Sequence, residues 1–86
     1  MASNEKVYNN ISRTKLNNLK SQLRSAGFSP PSGDRATIQG SGVEIDADYT
    51  EKEQTLKLVI RKTPMFVSYS YVFSKIDDFV AKSSEN

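Results

Sequence analysis

Cysteine and histidine are both absent from this 86-residue chain, and their absence excludes much of enzyme chemistry. Without cysteine there is no disulfide, no thiolate metal site and no cysteine nucleophile. Without histidine the chain lacks the commonest metal ligand and the usual general base. The sequence also contains no recognisable phosphate loop or cofactor motif. We therefore predict a protein that is not an enzyme and that uses no metal or other cofactor.

Long apolar runs are also lacking. No segment approaches the roughly 20 apolar residues that span a bilayer, and the first ten residues contain no apolar run typical of a signal peptide. We expect a cytoplasmic protein without a membrane span. The length predicts one small domain, 1–86, with disorder at 1–6 and 83–86. A domain this short buries only roughly 60–65% of its unfolded surface, so association would add useful stability.

The clearest pattern lies in residues 42–62, which predict a central β-hairpin. Apolar residues alternate with acidic residues from 43 to 49 and with mostly polar residues from 55 to 61, as in half-buried strands. Both apolar sets face one core only if paired residues have numbers with an odd sum. A short connection between the strands favours pairs whose two residue numbers add up to 105. The resulting pairs are Tyr49 with Leu56, Ala47 with Leu58, Ile45 with Ile60, Asp48 with Lys57, and Glu44 with Arg61.

The segment before the hairpin predicts an amphipathic helix over residues 12–26, with an earlier start near Glu5 as the alternative. Ser12 is a suitable N-cap, and Gly27 is placed to end the helix in the left-handed conformation, with Phe28 packing back. The apolar stripe consists of Leu16, Leu19, Leu23 and Ala26, three or four residues apart.

Residues 36–39 are a candidate third strand. Ala36 and Ile38 have even numbers whereas the next strand has odd inward positions, so the phase changes at 40–42. A tight turn there gives a three-stranded meander and a bulge gives one long strand; we favour the meander. After Pro64, residues 65–67 are expected to cross the core.

The segment 68–82 fits two patterns. Tyr69, Tyr71 and Phe73 alternate as in a strand, but a broad apolar stripe of helical period extends to Val80. We predict a helix over residues 70–82 because that pattern covers more residues. The expected fold is therefore two-layer α+β, with an N-terminal helix, a two- or three-stranded antiparallel sheet and a C-terminal helix. Both helices cover one sheet face. Exposed sheet edges make a homodimer plausible.

Three groups of residues are candidates for function. Glu44, Asp46 and Asp48 lie on one strand face, where they form either a hard-cation site or, as we favour, a solvated face. The nucleic-acid hypothesis uses the cations of the first helix, which are Arg13, Lys15, Lys20 and Arg24. The partner-surface hypothesis uses apolar residues outside the core, which are Val59, Met65 and Tyr71.

The sequence does not identify a biological role, so we rank three functional hypotheses. The first is a non-catalytic protein-interaction or accessory module that binds an unknown protein or a second copy of itself. The second is a nucleic-acid-binding module, whose binding would fall steeply with salt. The third is a small enzyme that uses only carboxylate, hydroxyl or lysine groups.

Overall fold

The computed structural model of the chain describes residues 4–29 and 33–83, apart from the side chain of Ala36. Their elements are β1 (Glu5–Tyr8), α1 (Arg13–Ser25), β2 (Arg35–Gly40), β3 (Val43–Thr50), β4 (Thr55–Lys62) and α2 (Tyr69–Lys82). The strands form an antiparallel sheet in the order β1-β4-β3-β2. The α+β class is confirmed, but the described sheet has four strands instead of two or three.

The additional strand is β1, which pairs with β4. It occupies the edge of β4 that the hairpin leaves unpaired, so the prediction of disorder over 1–6 is wrong for Glu5 and Lys6. An earlier start of the first helix near Glu5 is wrong for the same reason. Residues 1–3 and 84–86 lie outside the described part. Ser83, also expected to be disordered, is buried, and its hydroxyl donates to the Phe79 carbonyl at 2.6 Å.

The hairpin β3–β4 has the predicted register at its centre. Its pairs include Ile45 with Ile60, Ala47 with Leu58, Asp48 with Lys57, and Tyr49 with Leu56. The predicted pair of Glu44 with Arg61 is wrong, because a bulge between Glu44 and Ile45 places Glu44 opposite Lys62. Arg61 instead donates from Nε to Asp46 at 2.5 Å.

A two-residue turn connects β2 to β3, so the meander is confirmed. Ser41 and Gly42 both have positive φ, 51° and 82°. This backbone twist matches that of the flanking strands. The turn places Ile38 opposite Ile45, and both side chains are buried.

The predicted first helix is confirmed as α1, and both of its ends are capped. The Ser12 hydroxyl accepts a hydrogen bond from the Lys15 N–H at 3.1 Å. At the other end Gly27 has φ 92°, and the Phe28 N–H donates to the Leu23 carbonyl at 2.9 Å. This is the Schellman arrangement, in which glycine adopts the left-handed conformation at low cost.

The helical interpretation of residues 70–82 is confirmed by α2. Ser68 is its N-cap and accepts from the Tyr71 N–H at 3.1 Å. The strand alternative fails because the broad apolar stripe is buried as one helix face, with Val72, Phe73 and Ile76 at its centre.

The core lies between the sheet and the two helices. It contains the leucine stripe of α1, the inward residues of β2, β3 and β4, and the buried face of α2. Outward side chains of β3 and β4 remain exposed or half-buried. Tyr49 connects this core to the start of α1, since its buried hydroxyl donates to the Ile11 carbonyl at 2.6 Å. Burial raises the pKa of Tyr49, so the hydroxyl keeps its proton.

We expect Tyr49→Phe to lower the free energy of unfolding by about 1–2 kcal/mol, because the buried Ile11 carbonyl would lose its hydroxyl donor. Urea denaturation at neutral pH measures this loss. The control is Tyr71→Phe, the same chemical change at a tyrosine that is 55% exposed. It should change stability by less than about 0.5 kcal/mol. Equal losses in the two variants would contradict the role of the Tyr49 hydroxyl.

Candidate interaction surface

The link between β4 and α2 contains a tight turn with two exposed apolar residues. The Val67 N–H donates to the Pro64 carbonyl at 3.0 Å, which closes the turn. Its central residues, Met65 and Phe66, are 88% and 95% exposed. Turns of this kind usually carry glycine, proline, asparagine, aspartate or serine. We call Met65 and Phe66 the 65–66 knob.

The position of the knob corrects one expectation. Residues 65–67 were predicted to cross the core, but only Val67 packs against it. The reason is chain length, since β4 ends at Lys62 and Ser68 already caps α2. Five residues must reverse the chain direction, and a turn with exposed central residues is the short way to do so.

An apolar groove of about 270 Å³ lies beside the knob, between the C-terminal end of α1 and residues 71–79 of α2. Its walls include Leu23, Phe28, Val43, Pro64 and Val67. Because Pro64 and Val67 are also the two ends of the turn, the knob is held at the rim of the groove.

One flank of α2 forms the outer wall of this groove. Tyr71, Lys75 and Phe79 are four residues apart and therefore lie along the same side of the helix. The Lys75 ammonium lies 5.5 Å from the centroid of the Tyr71 ring, a cation–π distance. Among the described residues that line the groove, Lys75 is the only charged one.

The structure brings together two of the three residues of the partner-surface hypothesis. Tyr71 lines the groove and Met65 lies at its rim. Val59 is on the outward face of β4, opposite Glu5, and belongs to a different surface. Phe66 is the residue that sequence reasoning missed. A signal in the sequence could have identified it: only five residues separate the end of the predicted strand from the N-cap of the predicted helix, so the middle of this link must form an exposed turn.

The basic residues of α1 do not form one free surface. Arg13 donates two hydrogen bonds to Asp34, at 2.7 and 3.1 Å, and a third to Glu51. Its guanidinium also lies 5.0 Å from the centroid of the Tyr49 ring. The hydrogen bonds to Asp34 and Glu51 raise the pKa of Arg13, and the same contact with Arg13 lowers the pKa of Asp34. Arg13 is therefore engaged within the protein.

The other three cations divide between two flanks. Lys20 and Arg24 follow Arg13 by seven and eleven residues, which places all three on the same side of a helix with 3.6 residues per turn. Lys15 falls on the opposite flank. The contiguous basic stripe of the nucleic-acid hypothesis is thus reduced to Lys20 and Arg24.

The acidic row of β3 is paired with neighbouring side chains on the open sheet face. Asp46 accepts from Arg61 and from the Thr37 hydroxyl, and these hydrogen bonds lower its pKa. Asp48 lies 3.6 Å from Arg35. Within residues 4–29 and 33–83, no group of three or more carboxylates is arranged to hold a metal ion.

A second polar cluster fastens β1 to α2. Asp77 accepts from the Tyr8 hydroxyl at 2.6 Å and from the Lys6 ammonium at 2.8 Å. Burial opposes ionisation of Asp77, but the hydrogen bonds from Lys6 and Tyr8 outweigh it and lower the pKa. The pKa of Tyr8 is raised, first by burial and then by Asp77. These hydrogen bonds connect the edge strand β1 to the helix α2.

Comparison with known proteins finds no relative, because no family model, no curated protein and no solved structure matches the chain. In the part of the chain that the structure describes, neither helix has the length and hydropathy of a membrane span. The functional interpretation therefore depends on the surfaces of this chain alone.

The lowered pKa of Asp34 predicts a specific acid sensitivity. An unfolded aspartate has a pKa of about 3.9, so below that pH the unfolded chain binds more protons than the folded one. The free energy of unfolding should fall as pH decreases from about 4 through the lower folded-state pKa. Asp34→Asn removes this contribution and should flatten the acid slope in urea midpoints measured across pH.

The control for this experiment is Asp78→Asn, which neutralises an exposed carboxylate on α2. This variant leaves the contact of Arg13 with Asp34 in place, so the part of the acid slope that comes from Asp34 should remain. An unchanged slope in Asp34→Asn would contradict the lowered pKa of Asp34 in the folded protein.

Proposed function

We propose that the protein is a non-catalytic interaction module that binds a protein partner through the 65–66 knob and the adjacent groove. The observation that supports this most directly is the exposure of both knob residues on a hydrogen-bonded turn. A contiguous exposed apolar patch on a small domain is typical of an interaction site. Methionine and aromatic side chains are also enriched at protein interfaces.

Preorganisation gives the knob a further advantage for binding. The Val67-to-Pro64 hydrogen bond and the proline ring restrict the turn before any partner arrives. A partner therefore loses less free energy to ordering this loop than it would with a flexible one.

The catalytic hypothesis has less support. A polar cleft on the β1–α2 flank includes Lys6, Ser74 and Asp77. However, Asp77 already accepts hydrogen bonds from Lys6 and Tyr8, which leaves it poorly placed to activate a hydroxyl. Among its described lining residues the apolar groove has no carboxylate, and Ser41, Tyr71 and Lys75 are its only polar side chains, so it offers few groups for general acid–base catalysis.

Nucleic-acid binding through α1 also has less support than protein binding. Arg13 is engaged with Asp34 and Glu51, and Lys15 lies on the other flank from Lys20 and Arg24. Lys20 and Arg24 remain on one flank, and Lys20 also interacts with Asp34, so binding would release few counterions and would be weak.

The proposal is tested by photo-crosslinking in cells. A photoreactive p-benzoylphenylalanine replaces Phe66 in a tagged chain, and covalent products are identified by mass. We expect protein adducts at position 66, because this side chain is 95% exposed at the centre of the proposed interface.

The matched control carries the same probe at Val7, an exposed apolar residue on β1, whose side chain is on the open sheet face. It should give few adducts. Equal labelling from both positions, or no protein adduct at position 66, would contradict the proposal. An adduct of twice the mass of the chain indicates a second copy, and any other mass indicates a different partner.

A further inference from the structure

The same surface carries both an apolar projection and an apolar depression. The 65–66 knob projects from the rim, and the groove beside it is lined by apolar walls. Pro64 and Val67, the two ends of the turn, line the groove. Met65 and Phe66 between them are almost fully exposed, which shows that the knob does not fill the groove of its own chain. Building on the proposed function, we propose that the partner is a second copy of this chain, whose knob enters the groove in a two-fold symmetric dimer.

The groove has the size that this occupant requires. A cavity of about 150 Å³ in a protein core is large enough to bind benzene. The groove, at about 270 Å³, has room for the phenyl ring of Phe66. Met65, the other knob residue, is unbranched and adaptable, so it can cover the rim around that ring.

In a dimer with a two-fold axis, the knob and the groove of each copy are both in contact with the other copy. Since knob and groove are adjacent, one rotation places each knob against the other copy's groove, and the interface is closed. The exposed side chains of Met65, Phe66 and Tyr71 each remove roughly 100–200 Å² from water when covered. Together they supply about 400 Å² of the roughly 800 Å² per partner in a standard interface. The groove walls contribute additional area.

Charge gives the proposal a distinctive signature. Among the lining residues that the structure describes, Lys75 is the only charged one, and none of the others is a carboxylate. A symmetric dimer brings two copies of Lys75 to one interface. Salt screens their repulsion, so the dimer should persist or strengthen at high salt. Binding of an acidic partner or of nucleic acid would instead become weaker as the salt concentration rises.

The oligomeric state is measured by size-exclusion chromatography with light scattering, from about 1 μM to about 1 mM protein, a range that covers weak and moderate affinities. We expect a concentration-dependent dimer that is at least as stable at high salt as at low salt. Lys75→Gln, which keeps a long polar side chain without the charge, should lower the dissociation constant about two- to fivefold at low salt.

Phe66→Asp should be monomeric over the same range, since a charge would enter an apolar groove. The matched control is Val7→Asp, which places the same charge on the open sheet face opposite Lys57 and should remain dimeric. Circular dichroism and the thermal midpoint confirm that both variants fold. A Phe66→Asp protein that still dimerises like the wild type would overturn the inference.

The absence of cysteine allows the contact itself to be trapped. Differently tagged chains carrying Phe66→Cys and Ser41→Cys are mixed and oxidised, since Ser41 is an exposed residue of the groove lining. A disulfide between the two tags is expected from a knob in the groove of the other copy. A chain with Thr37→Cys on the open face is the control and should give none. Equal trapping by both would overturn the proposed contact.

The dimer and the interaction module can be disproved separately, because different measurements test them. A protein that stays monomeric throughout overturns the dimer. If the position-66 probe then still captures a different protein, the interaction module remains supported and only the identity of the partner changes. If the monomer instead sediments with phospholipid vesicles in a Phe66-dependent manner and gives no protein adduct, both proposals are overturned in favour of a lipid-binding turn.

Discussion

The pairing of β3 with β4 is the contact on which the rest of the structure depends. Ile45 with Ile60 and Ala47 with Leu58 place every inward side chain of both strands on one face. A slip of one residue would turn that face toward solvent, which makes the register strongly specified. β1 and β2 then extend the sheet at its two edges. Both helices can bury their apolar faces only because this one sheet face is continuous.

The exposed turn is a consequence of that arrangement. Where β4 ends, the chain must reverse within five residues so that α2 can return across the sheet. The prolyl turn makes the reversal possible but leaves two large apolar side chains outside the core. A small domain has little spare apolar surface to use as a binding site. We propose that Met65 and Phe66, held at a fixed turn outside the core, serve as such a site.

Most charges near the sheet are paired locally, which distinguishes them from the apolar surface. Arg13 binds Asp34 and Glu51, and Asp77 binds Lys6 and Tyr8. Exposed pairs of this type contribute little stability each, typically 0–1 kcal/mol. Their main effect here is to orient the start of α1 and the edge strand relative to the sheet. None of these pairs involves the described residues of the knob or of the groove lining.

The sequence by itself determined the features that arise from local periodicity and capping. These are the central register of β3 with β4, both helices, and the glycine that ends α1. Contacts between distant segments were decided only by the tertiary structure. The strand β1 has no clear alternation and forms because β4, about fifty residues later, offers an unpaired edge. Likewise, the partners of Arg13, the exposure of Phe66 and the separation of Val59 depend on how the elements pack. Periodicity reports which face of an element is buried, but not which distant segment buries it.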